Sequence, residues 1–270
     1  MTTLPARRVA VRILGSRFAA GFTDADAASA VERLWQRFVD LEPLASAHVV
    51  EIGDGPAADQ ISRFATGVNA AALDAAPMFA VHAGVVARGG IAIAMPATSG
   101  TGKSTLTAAC LRRGFDYVSD EALCLHYPGG EIEPYPRPIA LSRWSARTAT
   151  RSLDGVDGVP TGEEWLFTAA DLGSRDAGGG AALRHIVVLE RHVDDGAAPD
   201  SGQAPELDAL PRPDAVTTLL RLSFNHYRRP ADAVQLAAKV VAGASVWRLH
   251  YGDPHAAADL LWTALSESDR

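Results

Sequence analysis

Pro96-Ala97-Thr98-Ser99-Gly100-Thr101-Gly102-Lys103-Ser104-Thr105 decides how this chain is read. An apolar run, Ile91 to Met95, precedes it, and a helix-forming stretch, Leu106 to Arg113, follows. Strand, glycine-rich loop and helix, in that order, cradle phosphate. Several backbone N–H groups then point into one concavity at a helix N-terminus. Gly100 and Gly102 let the backbone approach with no Cβ in the way. Lys103 supplies a point charge toward the β- and γ-phosphates, and Ser104 offers a hydroxyl to Mg²⁺. Ser99, Thr101 and Thr105 complete the expected nucleotide contacts. The P-loop pattern has a glycine five residues before Gly102, where Ala97 stands. That position shapes the start of the loop and not the phosphate grip. The motif predicts ATP and Mg²⁺ as ligands.

Composition narrows the partners. The 270 residues suffice for one large domain, or one domain with a smaller companion. A net charge of −7 argues against a nucleic-acid surface. No apolar run reaches the roughly 20 residues of a membrane span. Arg7 and Arg8 are not followed by the apolar segment of a signal peptide. The expectation is a cytoplasmic protein that binds neither nucleic acid nor membrane, with homo-oligomerisation left open. The two cysteines, Cys110 and Cys124, lie in apolar surroundings and read as buried free thiols.

Periodicity divides the chain near residue 75. Residues 1–75 read as a small α/β unit. Arg8 to Leu14 is its first strand. A helix follows, capped by Thr23 or Asp24, with Ala27, Val31, Leu34, Trp35 and Phe38 on one face. Ala47 to Ile52 is a second strand. Residues 76–270 carry the loop. Phe79 to Ala87 and Ile91 to Met95 are strands joined by Arg88-Gly89-Gly90, too short a link for anything but an antiparallel pair. The sheet is therefore expected to be mixed. The helix after the loop ends at Gly114, and strands follow at Phe115 to Val118, Ala122 to Tyr127 and Glu131 to Tyr135. His185 to Glu190 is a further strand. Residues 194–213, rich in Asp, Ala, Pro and Gly, read as a loop or disordered excursion. Asp214 is the expected cap of a helix to Leu222. Pro230 to Val241 is a helix, Val246 to Tyr251 a strand and Pro254 to Leu265 a closing helix.

Three places beyond the loop carry chemistry. Asp120 and Glu121 stand at the end of a strand, where carboxylates coordinate a metal or accept a proton from an attacking hydroxyl. His82 lies mid-strand on the hairpin partner of the loop's strand. Gly84 beside it signals close approach of another backbone. Arg137, set between Pro136 and Pro138, suits phosphate or carboxylate recognition.

These residues, taken together, resemble the kinase domain of the HPr kinase/phosphorylase family. The likeness is closer to its HPr-kinase-related relatives, some of which accompany peptide natural-product gene clusters. The stretches that carry it are Val81-His82-Ala83-Gly84, Ser99-Gly100-Thr101-Gly102-Lys103-Ser104, Arg113-Gly114, Ser119-Asp120-Glu121 and Pro134-Tyr135-Pro136-Arg137-Pro138. The matched core covers about 60 residues, counted from His82 through the Arg137 segment. The resemblance implies an α/β P-loop kinase domain of HPr-kinase type with a mixed sheet. It implies Asp120 as catalytic base, His82 as its support and Lys103 as a catalytic cation. Ser104, Asp120 and Glu121 would stand at the metal, although the family has Asp where Glu121 stands. The glycine-rich segment with which true HPr kinases contact HPr is not recognised here.

The expected function is an ATP-dependent kinase that transfers the γ-phosphate to a hydroxyl. The expected acceptor is Ser or Thr of a peptide or protein, such as a ribosomal natural-product precursor. Two alternatives stay open: a kinase of small-molecule hydroxyls, and a non-catalytic nucleotide-dependent switch or assembly factor.

Overall fold

The computed structural model describes residues 7–41, 47–150, 156–191 and 204–268. It opens with a hairpin, in which β1 (Arg7–Ile13) and β2 (Ser16–Phe22) pair antiparallel from Arg7↔Phe22 to Ile13↔Ser16. Leu14 and Gly15 both take positive φ, 47° and 84°, the backbone twist that a two-residue hairpin favours. Asp24 caps α1 (Ala25–Leu34) by accepting from the amides of Asp26 and Ala27. β3 (His48–Val49) runs parallel to β2, and α2 (Ala57–Ala75) closes the unit.

The unit therefore departs from expectation in four ways. It gains β2 and α2. The expected strand from Ala47 to Ile52 shortens to the two residues of β3. Phe38 lies beyond the end of α1 and packs part-buried on the same core. Helix α2 has the spacing of a buried face, with Ile61, Phe64, Ala65, Val68 and Ala72 all inside. Gln60, fully buried, ties it to the start of α1. Its amide accepts from Thr23 N at 3.1 Å and donates to Gly55 O at 2.7 Å.

The core of this unit does not stop at residue 75. Phe22, Val31, Trp35 and Phe64 share one apolar cluster with Ala80, Ala122, Cys124, Tyr135 and Leu166. Polar ties follow the same seam. Asn69 accepts from the Tyr135 hydroxyl at 2.9 Å, and Arg37 pairs with Asp176 at 2.9 Å.

The second part is built on an eight-stranded sheet ordered β13-β14-β12-β5-β4-β7-β8, with β6 also paired to β4. Its strands are β4 (Phe79–Arg88), β5 (Ile91–Pro96), β6 (Asp116–Ser119), β7 (Ala122–Leu125), β8 (Ile132–Glu133), β12 (Ala182–Arg191), β13 (Glu206–Ala209) and β14 (Ser245–Tyr251). β4 and β5 are antiparallel, from Ala83↔Pro96 to Arg88↔Ile91, as the short Gly89-Gly90 link requires. β12 is parallel to both β5 and β14, so the sheet is mixed.

Both faces of the sheet are covered, which explains the unbroken apolar runs of β4 and β5. Side chains alternate between faces along a strand. Val86, Ile93 and Met95 pack toward α3 (Lys103–Arg113), α4 (Arg143–Thr150) and α7 (Pro254–Ser268). Val81, Ala83 and Val85 pack toward α5 (Arg212–Arg221) and α6 (Pro230–Ala242). A second, three-stranded sheet of β9 (Ile139–Ser142), β10 (Val159–Thr161) and β11 (Glu164–Phe167) joins the α3 layer through Ile139, Leu141 and Phe167.

Further expectations change here. Residues 206–209, expected in a loop, form edge strand β13, while 192–203 lie outside the described residues. None of Glu206, Leu207, Asp208 and Ala209 is a strong β-former, so pairing with β14 and not local preference makes the strand. Asp214 is not the cap of α5. Pro211 holds that position with no side-chain cap, and Asp214 sits in the first turn, where its charge suits the helix dipole. Glu131 to Tyr135 yields only the two residues of β8.

Gly84 leaves no room for a side chain under α3. A Cβ there would lie 2.5 Å from Thr107 Oγ1 and 3.3 Å from Lys103 Cγ. The close neighbour is thus a pair of helix side chains and not another backbone. Gly84→Ala is expected to cost about 1–3 kcal/mol in denaturant unfolding. Adding Thr107→Ala should recover part of that loss, because the Thr107 hydroxyl is buried with no hydrogen-bond partner among the described residues. Strictly additive losses would show that the two positions do not press on each other.

Candidate active site

Strand β4 sets the distances at the site. Its Ala83 and Gly84 pair on one edge with Pro96 and Met95, which lead into the glycine loop. On the other edge β6 and β7 form one interrupted strand, pairing Val85↔Ser119 and His82↔Ala122. The interruption is Asp120-Glu121. Loop and acids therefore flank one strand, on the order of 10 Å apart.

The loop has the features that phosphate needs. Gly100 and Gly102 have φ of 82° and 90°, a conformation that glycine adopts without strain. Gly102 is the N-cap of α3, and no side chain caps the helix. The first-turn amides are thus left for a ligand. Thr98, Ser99 and Gly100 are exposed, Ser104 is half-buried, and Lys103 and Thr105 are buried. Thr101 accepts from the Tyr251 hydroxyl at 3.2 Å through its carbonyl, and its own hydroxyl donates to Thr98 O at 3.0 Å.

The Lys103 stem passes over Gly84, where a Cβ would crowd its Cγ, and crosses β4. Its ammonium donates to the backbone carbonyl of Asp120 at 3.2 Å. The lysine thereby reaches the main chain of Asp120, and the Asp120 carboxylate acts on it through its charge. Burial lowers the Lys103 pKa, while the Asp120 and Glu121 carboxylates pull it back up.

Asp120 is only 3% exposed. Burial raises its pKa and Arg137 opposes the shift, so the carboxyl is a stronger proton acceptor than a solvated one. Its carboxylate accepts from the Tyr117 hydroxyl at 3.0 Å. Arg137, also buried, forms a short hydrogen bond to Glu121 Oε2. Burial alone would lower the Arg137 pKa, but Asp120 and Glu121 raise it, so it is always cationic. Glu121 Oε1 faces His82 Nε2 at 4.0 Å.

His82 shares a strand face with Gly84 and Val86, the face that α3 covers. Its ring packs edge-on against Phe224 at 5.6 Å. No hydrogen bond joins it to Asp120 among the described residues. The expected direct support of Asp120 is replaced by proximity to Glu121. Burial, then the Lys103 charge, lowers the His82 pKa to about 4, and the imidazole is neutral at pH 7.

The expected residues thus converge: Lys103, Asp120, Glu121, Arg137 and His82 form one cluster beside the loop that Ser99 to Thr105 build. The donor set fits Mg²⁺ bound with phosphate. The Ser104 hydroxyl makes no hydrogen bond among the described residues, and Asp120 Oδ2 accepts none. No group of three His, Cys, Asp or Glu side chains suits a metal on its own among the described residues, so phosphate oxygens would have to complete the shell. Tyr117 was not among the expected residues. A tyrosine three positions before an acid on a strand gives no local signal, and its role comes from tertiary placement. Cys110 and Cys124 are buried free thiols, and burial pushes the Cys124 thiol up to about 12, which keeps it unreactive. No described helix is long and apolar enough to cross a membrane.

The sequence matches no protein-family model and no curated protein, so the resemblance noted above stands on its motifs alone.

His82 gives the site a pH signature. Its pKa in the folded protein, about 4, lies below the ordinary histidine value of 6.5, so between these pH values the unfolded chain binds the extra proton. Stability from this group is complete above pH 6.5 and is lost as pH falls toward 4. Thermal unfolding followed across that window should show His82→Gln losing less stability on acidification than wild type. The expected difference is about 1–2 kcal/mol after allowance for partial exposure of the ring. Parallel acid limbs would show that His82 is not held neutral.

Proposed function

We propose that the protein is a P-loop kinase of HPr-kinase type that transfers the γ-phosphate of ATP to a hydroxyl, with Ser or Thr of a peptide or protein as acceptor. One observation carries this reading. An uncapped helix N-terminus, preceded by the exposed Gly100, lies beside the buried Asp120, and the loop's own lysine donates to the Asp120 backbone carbonyl. A simple nucleotide holder has no need of a buried proton acceptor at that place.

The chain's groups divide the work. The α3 amides and Lys103 neutralise charge on the transferring phosphoryl group. Ser104 would hold Mg²⁺, which when bound supplies further charge neutralisation. Asp120 takes the proton of the acceptor hydroxyl. The acceptor oxygen bonds to the γ-phosphorus as the bridging P–O bond breaks, and that electron pair leaves on ADP. Neutral His82 and the Glu121–Arg137 pair wall the site. Arg137 can turn its remaining guanidinium donors toward phosphate. Little covalent work is needed beyond holding the partners in line.

The test is γ-labelled ATP with a panel of seryl and threonyl peptides and of small hydroxyl metabolites. Lys103→Ala should lower transfer by on the order of 10²-fold or more. Asp120→Asn should still bind nucleotide while transfer collapses. Wild-type turnover in both variants would remove the kinase assignment. Label passing faster to a metabolite than to any peptide would change the acceptor class. Label that stays on bound ATP would indicate a nucleotide-dependent switch.

A further inference from the structure

Asp120 stands just past the end of β6, where the backbone leaves the sheet, and such a position does not by itself fix a side chain. Asp120 is 3% exposed, and among the described residues its carboxylate accepts one hydrogen bond, at Oδ1 from the Tyr117 hydroxyl at 3.0 Å. The Asp120 amide donates back to the same phenol oxygen at 3.1 Å. Tyr117 is itself immobile. Its ring is fully buried in the α3 layer, and its strand position pairs with Val86. On the other side its amide donates to Arg175 O at 2.8 Å, and its carbonyl accepts from Ala177 N at 2.6 Å. The hydroxyl also lies 2.8 Å from the backbone carbonyl of Arg137. One phenol proton thus has two acceptors, one on each of the two segments that build the site.

We propose that Tyr117 is a positioning residue for the phosphoryl transfer, holding Oδ1 of Asp120 so that Oδ2 is the oxygen presented to the acceptor hydroxyl. The inference rests on the kinase reading above. In the transfer the acceptor proton passes to Oδ2, the acceptor oxygen joins the γ-phosphorus, and ADP departs with the bridging electron pair. Tyr117 gains and loses no atom. Its proton keeps Oδ1 engaged before transfer and can turn to the Arg137 carbonyl once Asp120 is protonated. A free carboxylate would rotate and present either oxygen at any angle, and base catalysis depends on that geometry.

Tyr117→Phe keeps the ring and its packing and removes only the hydroxyl. The full chain with Mg²⁺ and ATP, water serving as probe acceptor, gives the first readout. Tyr117→Phe should lower kcat for ATP hydrolysis about 10- to 100-fold, with KM for ATP within about twofold of wild type. In an Asp120→Asn background the same change should add nothing, because the group it positions is gone. An unchanged kcat, or an equal loss in both backgrounds, overturns the proposal. A second readout needs no turnover. In protein labelled with ¹³C-aspartate, the Asp120 Cγ resonance, identified by its loss in Asp120→Asn, should move in Tyr117→Phe at one fixed pH, while that of Asp74, held by Arg228 and the Tyr227 hydroxyl, stays. An unmoved Asp120 resonance overturns the contact. A resonance that moves in a protein with no Asp120-dependent turnover overturns the kinase reading, and the positioning role with it. Turnover that needs Asp120 but not Tyr117 overturns the positioning role alone.

Discussion

The antiparallel pairing of β4 with β5 is the constraint on which the site depends. Two glycines leave no room for a crossover, so β4 must run back alongside the strand that feeds the loop. β4 then extends past the end of β5, and its far edge takes both β6 and β7. The chain between those two strands has one place to be, opposite Ala83 and Gly84. Asp120 and Glu121 occupy it. A parallel neighbour would have placed its crossover helix there instead.

Gly84 makes this arrangement usable. The helix after the loop packs on β4, and its lysine crosses that strand to reach the Asp120 carbonyl. A side chain at position 84 would stand in the lysine's path. The glycine is therefore both a packing and an electrostatic device, because it lets a buried cation approach a buried acid. The raised pKa of Asp120 and the lowered pKa of Lys103 have the same first cause, which is burial, and each charge partly offsets it for the other.

Much of this was legible in the chain alone, because it is local. The loop glycines, Lys103, the two-residue hairpin link and the Asp120-Glu121 pair signal through short spacing. The mixed sheet follows from the hairpin. The sequence also carries the signal for α2, whose Ile61, Phe64, Val68 and Ala72 repeat as a helix face should. A third group was not legible. β13 is a strand only because β14 offers an edge. His82 faces Glu121 and not Asp120 because of side-chain geometry across strands. Tyr117 matters because strand pairing and residues 175–177 fix its backbone. The N-terminal unit reads as separate by sequence, yet its core runs through Ala80, Ala122 and Tyr135, since a small unit buries more apolar surface by sharing a core.

The central claim is that the uncapped start of α3 is a phosphate cradle whose lysine is tied to the main chain of Asp120. Calorimetric binding of AMP, ADP and ATP with Mg²⁺ tests it most directly. The account predicts that affinity rises with each added phosphate, and that Lys103→Ala removes most of the gain from the second and third. Equal affinity for the three nucleotides, or a gain that survives Lys103→Ala intact, would contradict it.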